Sequence, residues 1–103
     1  MSDTAISALD DALALTAAMH AAALRDDWTV LAALDARRRM LVERACAQPN
    51  LDGDRLALLR ERNDALIALV RNRRERLADE WRDSRHSQRA LRDYQSIARD
   101  QGA

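Results

Sequence analysis

The sequence predicts an all-α chain: an antiparallel helical hairpin completed to a three-helix bundle by a long third helix, followed by a short C-terminal fourth helix. Three observations predict it. Among 103 residues there are 21 Ala and 15 Leu, whereas Ile and Val together number six and Phe is absent, so helix formers abound and residues suited to a pleated surface are scarce. The only Pro and one of the two Gly fall together in residues 48–54, leaving one clear break. Elsewhere apolar residues recur at alternating spacings of three and four, the period of one helix face. The length suits a single domain over residues 1–103, since one core of this kind usually takes about 100 to 150 residues.

The first helix is expected over about residues 4–25, capped by Ser2 or Asp3. Ile6, Leu9, Leu13, Thr16 and His20 form its inner row, with Ala5, Ala8, Ala12, Leu15, Met19 and Ala22 one row over. The alanines permit close helix approach, and His20 is expected to pack on this face. Asp26 and Asp27 offer a break and a new cap. The second helix, about residues 27–47, then carries Trp28, Leu31, Leu34 or Asp35, Arg38, Leu41 or Val42, and Ala45 inward. No single face buries Arg37, Arg38 and Arg39 together, so Arg38 is expected along the seam with its guanidinium reaching an acid. Asp52 or Asp54 caps the third helix, about residues 53–83, whose seam reads Leu56, Leu59, Asn63, Leu66, Val70, Arg73, Leu77. At 1.5 Å per residue it outruns its partners by roughly 15 Å, so Leu77 and Trp81 overhang. The polar run Ser84, Arg85, His86, Ser87, Gln88 reads as a hinge, and Leu91, Tyr94, Ile97 and Ala98 as the apolar face of the fourth helix, about residues 87–99.

Charge narrows the function. Seventeen Arg balance seventeen acids, so no whole-molecule field steers the chain onto nucleic acid or an anionic membrane. The distribution is uneven: residues 1–54 carry five Arg and nine acids, residues 55–92 eleven Arg and six acids. A lone Cys46 forms no internal disulfide and suits a reducing cytoplasm, where it is expected as a small buried residue. The segment before the apolar stretch 12–24 is acidic rather than basic, unlike a targeting signal, and no apolar run reaches the length of a membrane span.

Catalytic and ligand signals are missing. There is no Gly-rich phosphate loop, no CxxC pair and no HExxH, and His20 and His86 stand too far apart in sequence to suggest a metal site. No enzyme, cofactor or metal is expected. Trp28, Trp81 and Tyr94 lie on apolar stripes and make no stacking platform for bases. What remains is a surface for other proteins, in the mode where an amphipathic helix docks in a groove. A self-associating helical adaptor, such as a homodimer, is the alternative, with an RNA-binding module behind it.

The segment Asp27-Trp28-Thr29-Val30-Leu31-Ala32-Ala33-Leu34-Asp35 resembles the tryptophan, leucine and acid signature that opens helix two in FliT-type flagellar export chaperones. Asn63-Asp64, Ile67, Val70, Arg74 and Leu77 resemble that family's third-helix core, with Tyr94 near a tyrosine that follows. The resemblance implies a cytoplasmic chaperone of the flagellar type III export system. It would bind the C-terminal helical segment of the filament-cap protein, prevent early assembly, and deliver it to the export ATPase complex and gate. Carried onto this chain, it puts Leu66, Ile67, Val70, Leu77 and Trp81 on the client side, and Leu91, Tyr94 and Ile97 on a regulatory lid. The spacing by itself gives Leu66, Val70 and Leu77 an intramolecular place in the core, and makes Ile67, Trp81 and Tyr94 the exchangeable surface.

Overall fold

The computed structural model describes residues 2–102, with the side chains of 6–100. Three helices follow one another: α1 (Ser2–Leu24), α2 (Trp28–Cys46) and α3 (Gly53–Gly102). The chain divides into two compact units, Met1–Arg73 and Arg74–Ala103.

The first unit is a three-helix bundle whose core falls into two clusters. Ala8, Leu9 and Ala12 of α1 meet Ala45 of α2 and Leu59 of α3, with Leu13, Leu41, Val42, Leu51 and Leu56 packed around them. Farther along, Met19 and Ala23 of α1 meet Leu66 of α3, flanked by Trp28, Leu31, Leu34, Leu69 and Val70. The start of α1 thus lies with the end of α2 and the start of α3, so α2 runs antiparallel to both neighbours. Alanine at positions 8, 12, 22, 23 and 45 is buried, and its small volume lets the helices approach closely.

Between the clusters lies a polar crossing. Thr16 is 3 % exposed; its Oγ1 donates to the Ala12 carbonyl at 2.8 Å and accepts from Arg38 Nη1 at 3.1 Å. Arg38 Nη2 donates to Asp35 Oδ1 at 3.1 Å. The expectation that Arg38 threads the seam to an acid is met, and the buried hydroxyl keeps both its bonds.

The connections are acid-built. Asp27 caps α2 by accepting from the Val30 N–H at 3.3 Å. Asp26 takes the left-handed conformation (φ 57°), tolerated by Asp because its short side chain bonds locally; its carboxylate receives Arg73 Nε at 3.0 Å and Nη2 at 2.7 Å. Asp52 is the cap of α3, accepting from the N–H of Asp54 and of Arg55. The backbone N–H and guanidinium of Arg55 hold the Asp52 carboxyl below the ordinary carboxylate range. Arg55 also reaches Asp10 at 2.9 Å, and the two carboxylates raise its own pKa. The cap expected at Ser2 or Asp3 lies outside the described side chains.

Three expectations are corrected. The hinge at residues 84–88 and the separate fourth helix at 87–99 are absent: α3 continues through both to Gly102. Ser84, Arg85, His86, Ser87 and Gln88 include no Gly or Pro. As weak-to-good helix formers they cost at most about 0.7 kcal/mol each against Ala, too little to break a running hydrogen-bond ladder. His20 is exposed rather than packed, having slipped to the edge of the α1 inner face. Cys46 is likewise exposed, because Ala45 takes the inward position at the end of α2.

The second unit, within the described residues, is the helical stretch from Arg74 onward. Every described side chain from Arg74 to Asp100 is exposed.

Candidate functional site

In the first unit α2 and α3 leave a groove of about 720 Å³ between them. Two rows line it at helical spacing: Asp35, Arg38, Arg39, Val42 and Glu43 from α2, and Leu56, Leu59, Arg60, Asn63 and Ile67 from α3. Its apolar floor is Val42, Leu56, Leu59 and Ile67, and the charged residues form the rim. Asp35 holds two of these in place, pairing with Arg38 at 3.1 Å and with Arg39 at 3.0 Å. Such a surface, apolar at the bottom and charged at the lips, matches an amphipathic helix. A smaller groove of about 500 Å³ lies between α1 and α3, with Leu13, Thr16, Ala17, His20, Leu58, Arg62 and Ala65 around it. Among the described residues no cluster of His, Cys, Asp and Glu could hold a metal ion.

The residues expected on the client side part company here. Leu66 is 3 % exposed and belongs to the core with Met19 and Ala23; Val70 packs against that cluster. Ile67, one position on and 48 % exposed, is the one member of the set that lines the α2/α3 groove. Leu77 and Trp81 belong to the second unit and are exposed, Trp81 with the Arg85 guanidinium 4.6 Å from its ring centroid. Leu91, Tyr94 and Ile97, expected on a hinged lid, are exposed on the same unbroken helix.

Sequence reasoning missed Val42, Leu56, Arg39 and Arg60 as groove residues. The signal was present: Arg60, Asn63 and Ile67 step by three and four along α3, and Asp35, Arg39 and Val42 step by four and three along α2. Each row borders a seam, the α3 row sharing Asn63 with it, where groove walls must lie.

Residues 6–96 match the family model described as Flagellar protein FliT. The chain belongs to the FliT family. The match covers α1, α2 and most of α3, so the resemblance carried by Trp28 and Asn63 extends over nearly the whole fold. FliT is a family of flagellar export chaperones rather than enzymes, which places the chain in flagellum biogenesis as a chaperone of helical-bundle build. No curated protein and no solved structure matches the chain. Among the described residues no helix is long and apolar enough to cross a membrane.

Proposed function

We propose that this FliT-family chain is a cytoplasmic export chaperone that takes the C-terminal helical segment of the filament-cap protein into the α2/α3 groove. There it withholds the segment from assembly until the export ATPase complex and gate receive it. The observation that carries the reading is the groove: an apolar floor ending in the half-exposed Ile67, with the arginines and acids of the rim held ready for a polar flank. Buried apolar area supplies the attraction at about 25 cal/mol per Å², and the rim sets register and partner choice more than affinity. The sequestered client helix is thereby denied the apolar contacts it would make with its own kind.

Calorimetry with a peptide of the cap protein's C-terminal segment tests this. Binding to the intact chain is expected, together with a marked loss for Ile67→Glu, which sets a charge on the groove floor. No heat of binding, or equal binding by the variant, refutes it.

A further inference from the structure

The helix of the second unit is polarised in a way that its net charge conceals. From Arg74 onward it carries seven Arg against six acids, nearly neutral. At about 100° per residue, however, Arg74, Arg82, Arg85, Arg89, Arg92 and Arg99 fall in one sector roughly 100° wide. Asp79, Glu80 and Asp83 lie on the other side, while Glu75, Asp93 and Asp100 border the arginine sector on its edge away from the apolar residues. Between the two flanks runs a seam with spacings of four and three: Leu77, Trp81, Ser84, Gln88, Leu91, Gln95, Ala98. Leu77, Trp81 and Leu91 on it are 37 %, 61 % and 56 % exposed.

Of the six arginines only Arg82 has an ion-pair partner, Asp79 at 2.6 Å; among the described residues the other five form none. Arg85 lies instead over the Trp81 ring, which ties the basic flank to the apolar seam.

We infer that this face is a second docking surface, for a protein helix that pairs an apolar seam with an acidic flank. The charge pattern selects that occupant. A second copy of the chain supplies too little acid: in a parallel pair the row Arg85, Arg92 and Arg99 meets Glu80, Ser87 and Tyr94, and in an antiparallel pair it meets itself. Nucleic acid is disfavoured by the acids on the opposite flank and the zero net charge of the chain, a lipid surface by the polar Ser84, Gln88 and Gln95 within the seam. With three large apolar residues at seven seam positions, the apolar contact is thin, so the partner's carboxylates must contribute and binding must weaken with salt.

The surface does not depend on what fills the α2/α3 groove, and its test separates the two. The intact chain is titrated with a designed 21-residue helical peptide bearing a leucine seam and glutamates along one flank. A second peptide has lysines in place of the glutamates. The glutamate peptide is expected to bind, with affinity falling as salt rises, and the lysine peptide to bind far more weakly. Arg85→Glu, Arg89→Glu and Arg92→Glu together, all at exposed positions, should cost roughly tenfold or more, since three attractive charge pairs become repulsive. The same triple variant should keep cap-peptide binding, and Ile67→Glu should keep glutamate-peptide binding. Equal binding of both peptides, or a triple variant that binds the glutamate peptide normally, overturns the inference. So does tighter retention by poly(U) RNA or anionic vesicles than by the peptide, or a dimer in light scattering that the triple variant dissolves.

Discussion

Leu66 and Ile67 are neighbours on α3 with opposite roles, and truncating each to alanine separates core from binding surface. Leu66 is 3 % exposed within the cluster of Met19 and Ala23. Removing its three outer carbons forfeits about 2.4 kcal/mol of transfer free energy at about 0.8 kcal/mol per carbon. The cavity left between α1, α2 and α3 brings the expected loss to about 3–5 kcal/mol, in line with buried Leu→Ala changes generally. For a bundle with roughly 5–15 kcal/mol in hand, that is a large share, and the thermal midpoint should fall by more than 10 °C at about 4–8 °C per kcal/mol. Ile67 is 48 % exposed, so Ile67→Ala should cost about 1 kcal/mol or less of stability. The binding assay should invert the order. At a temperature where both variants are folded, Ile67→Ala should weaken the cap peptide measurably, and Leu66→Ala should bind it as the parent does. Circular-dichroism melts and calorimetry read the two quantities. A Leu66→Ala variant that melts like the parent but loses the peptide would refute the division of roles, and with it the placement of the site on the α2/α3 side.

The clasp between Asp26 and Arg73 should show a graded response: Asp26→Asn, which tolerates the left-handed conformation, should melt closer to the parent than Asp26→Ala, where that backbone costs about 1–2 kcal/mol. Asp27→Ala removes the acceptor for the Val30 N–H and should destabilise by about 1 kcal/mol in urea unfolding. The pH dependence follows from Asp52: its folded pKa lies below the unfolded value, so its contribution is present above the ordinary carboxylate range and lost as pH falls through the folded pKa. Asp52→Ala should accordingly lower stability at pH 7 and flatten the decline seen on acidification below about pH 4; an unchanged acid-side slope would contradict the assignment. Gln88→Pro should remove helical ellipticity from the continuous α3 and leave the cooperative melt of the bundle in place, since both core clusters consist of residues up to Val70.

The bundle was legible because its signals are redundant. The period of α1, the acids at 26–27 and the Pro-Gly cluster each point to the same three elements, and the inner face of α2 reads correctly down to Arg38, whose place followed from the impossibility of burying three consecutive arginines. Two kinds of information were not local. The end of a helix without Gly or Pro is decided by the sum of small propensities against the cost of breaking the ladder, so Ser84–Gln88, polar but helix-compatible, looked like a hinge and is not one. Which of two adjacent apolar residues faces a neighbour depends on the crossing of three helices, and this divides Leu66 from Ile67. The groove residues Val42 and Leu56 were assigned inward correctly; that they also floor an open channel depends on how far apart α2 and α3 lie, which no spacing encodes.

The unbroken α3 changes what regulation can mean for this chain. A lid on a hinge would be a two-state device, closed or open, biasing client affinity by the fraction of time it is closed. With residues 84–88 helical, Leu91, Tyr94 and Ile97 belong to the same continuous helix as Leu77 and Trp81, with no break between them. Control then falls to what binds the exposed helix rather than to a movement of the helix itself. The arginine flank supplies the selectivity such a partner needs, because the five guanidinium groups that form no ion pair among the described residues reward an acidic helix and penalise a basic one. On this view the client groove and the partner surface are chemically distinct: one has an apolar floor and a mixed-charge rim, the other a thin seam beside a basic row. A client that fits the first is not thereby a ligand for the second.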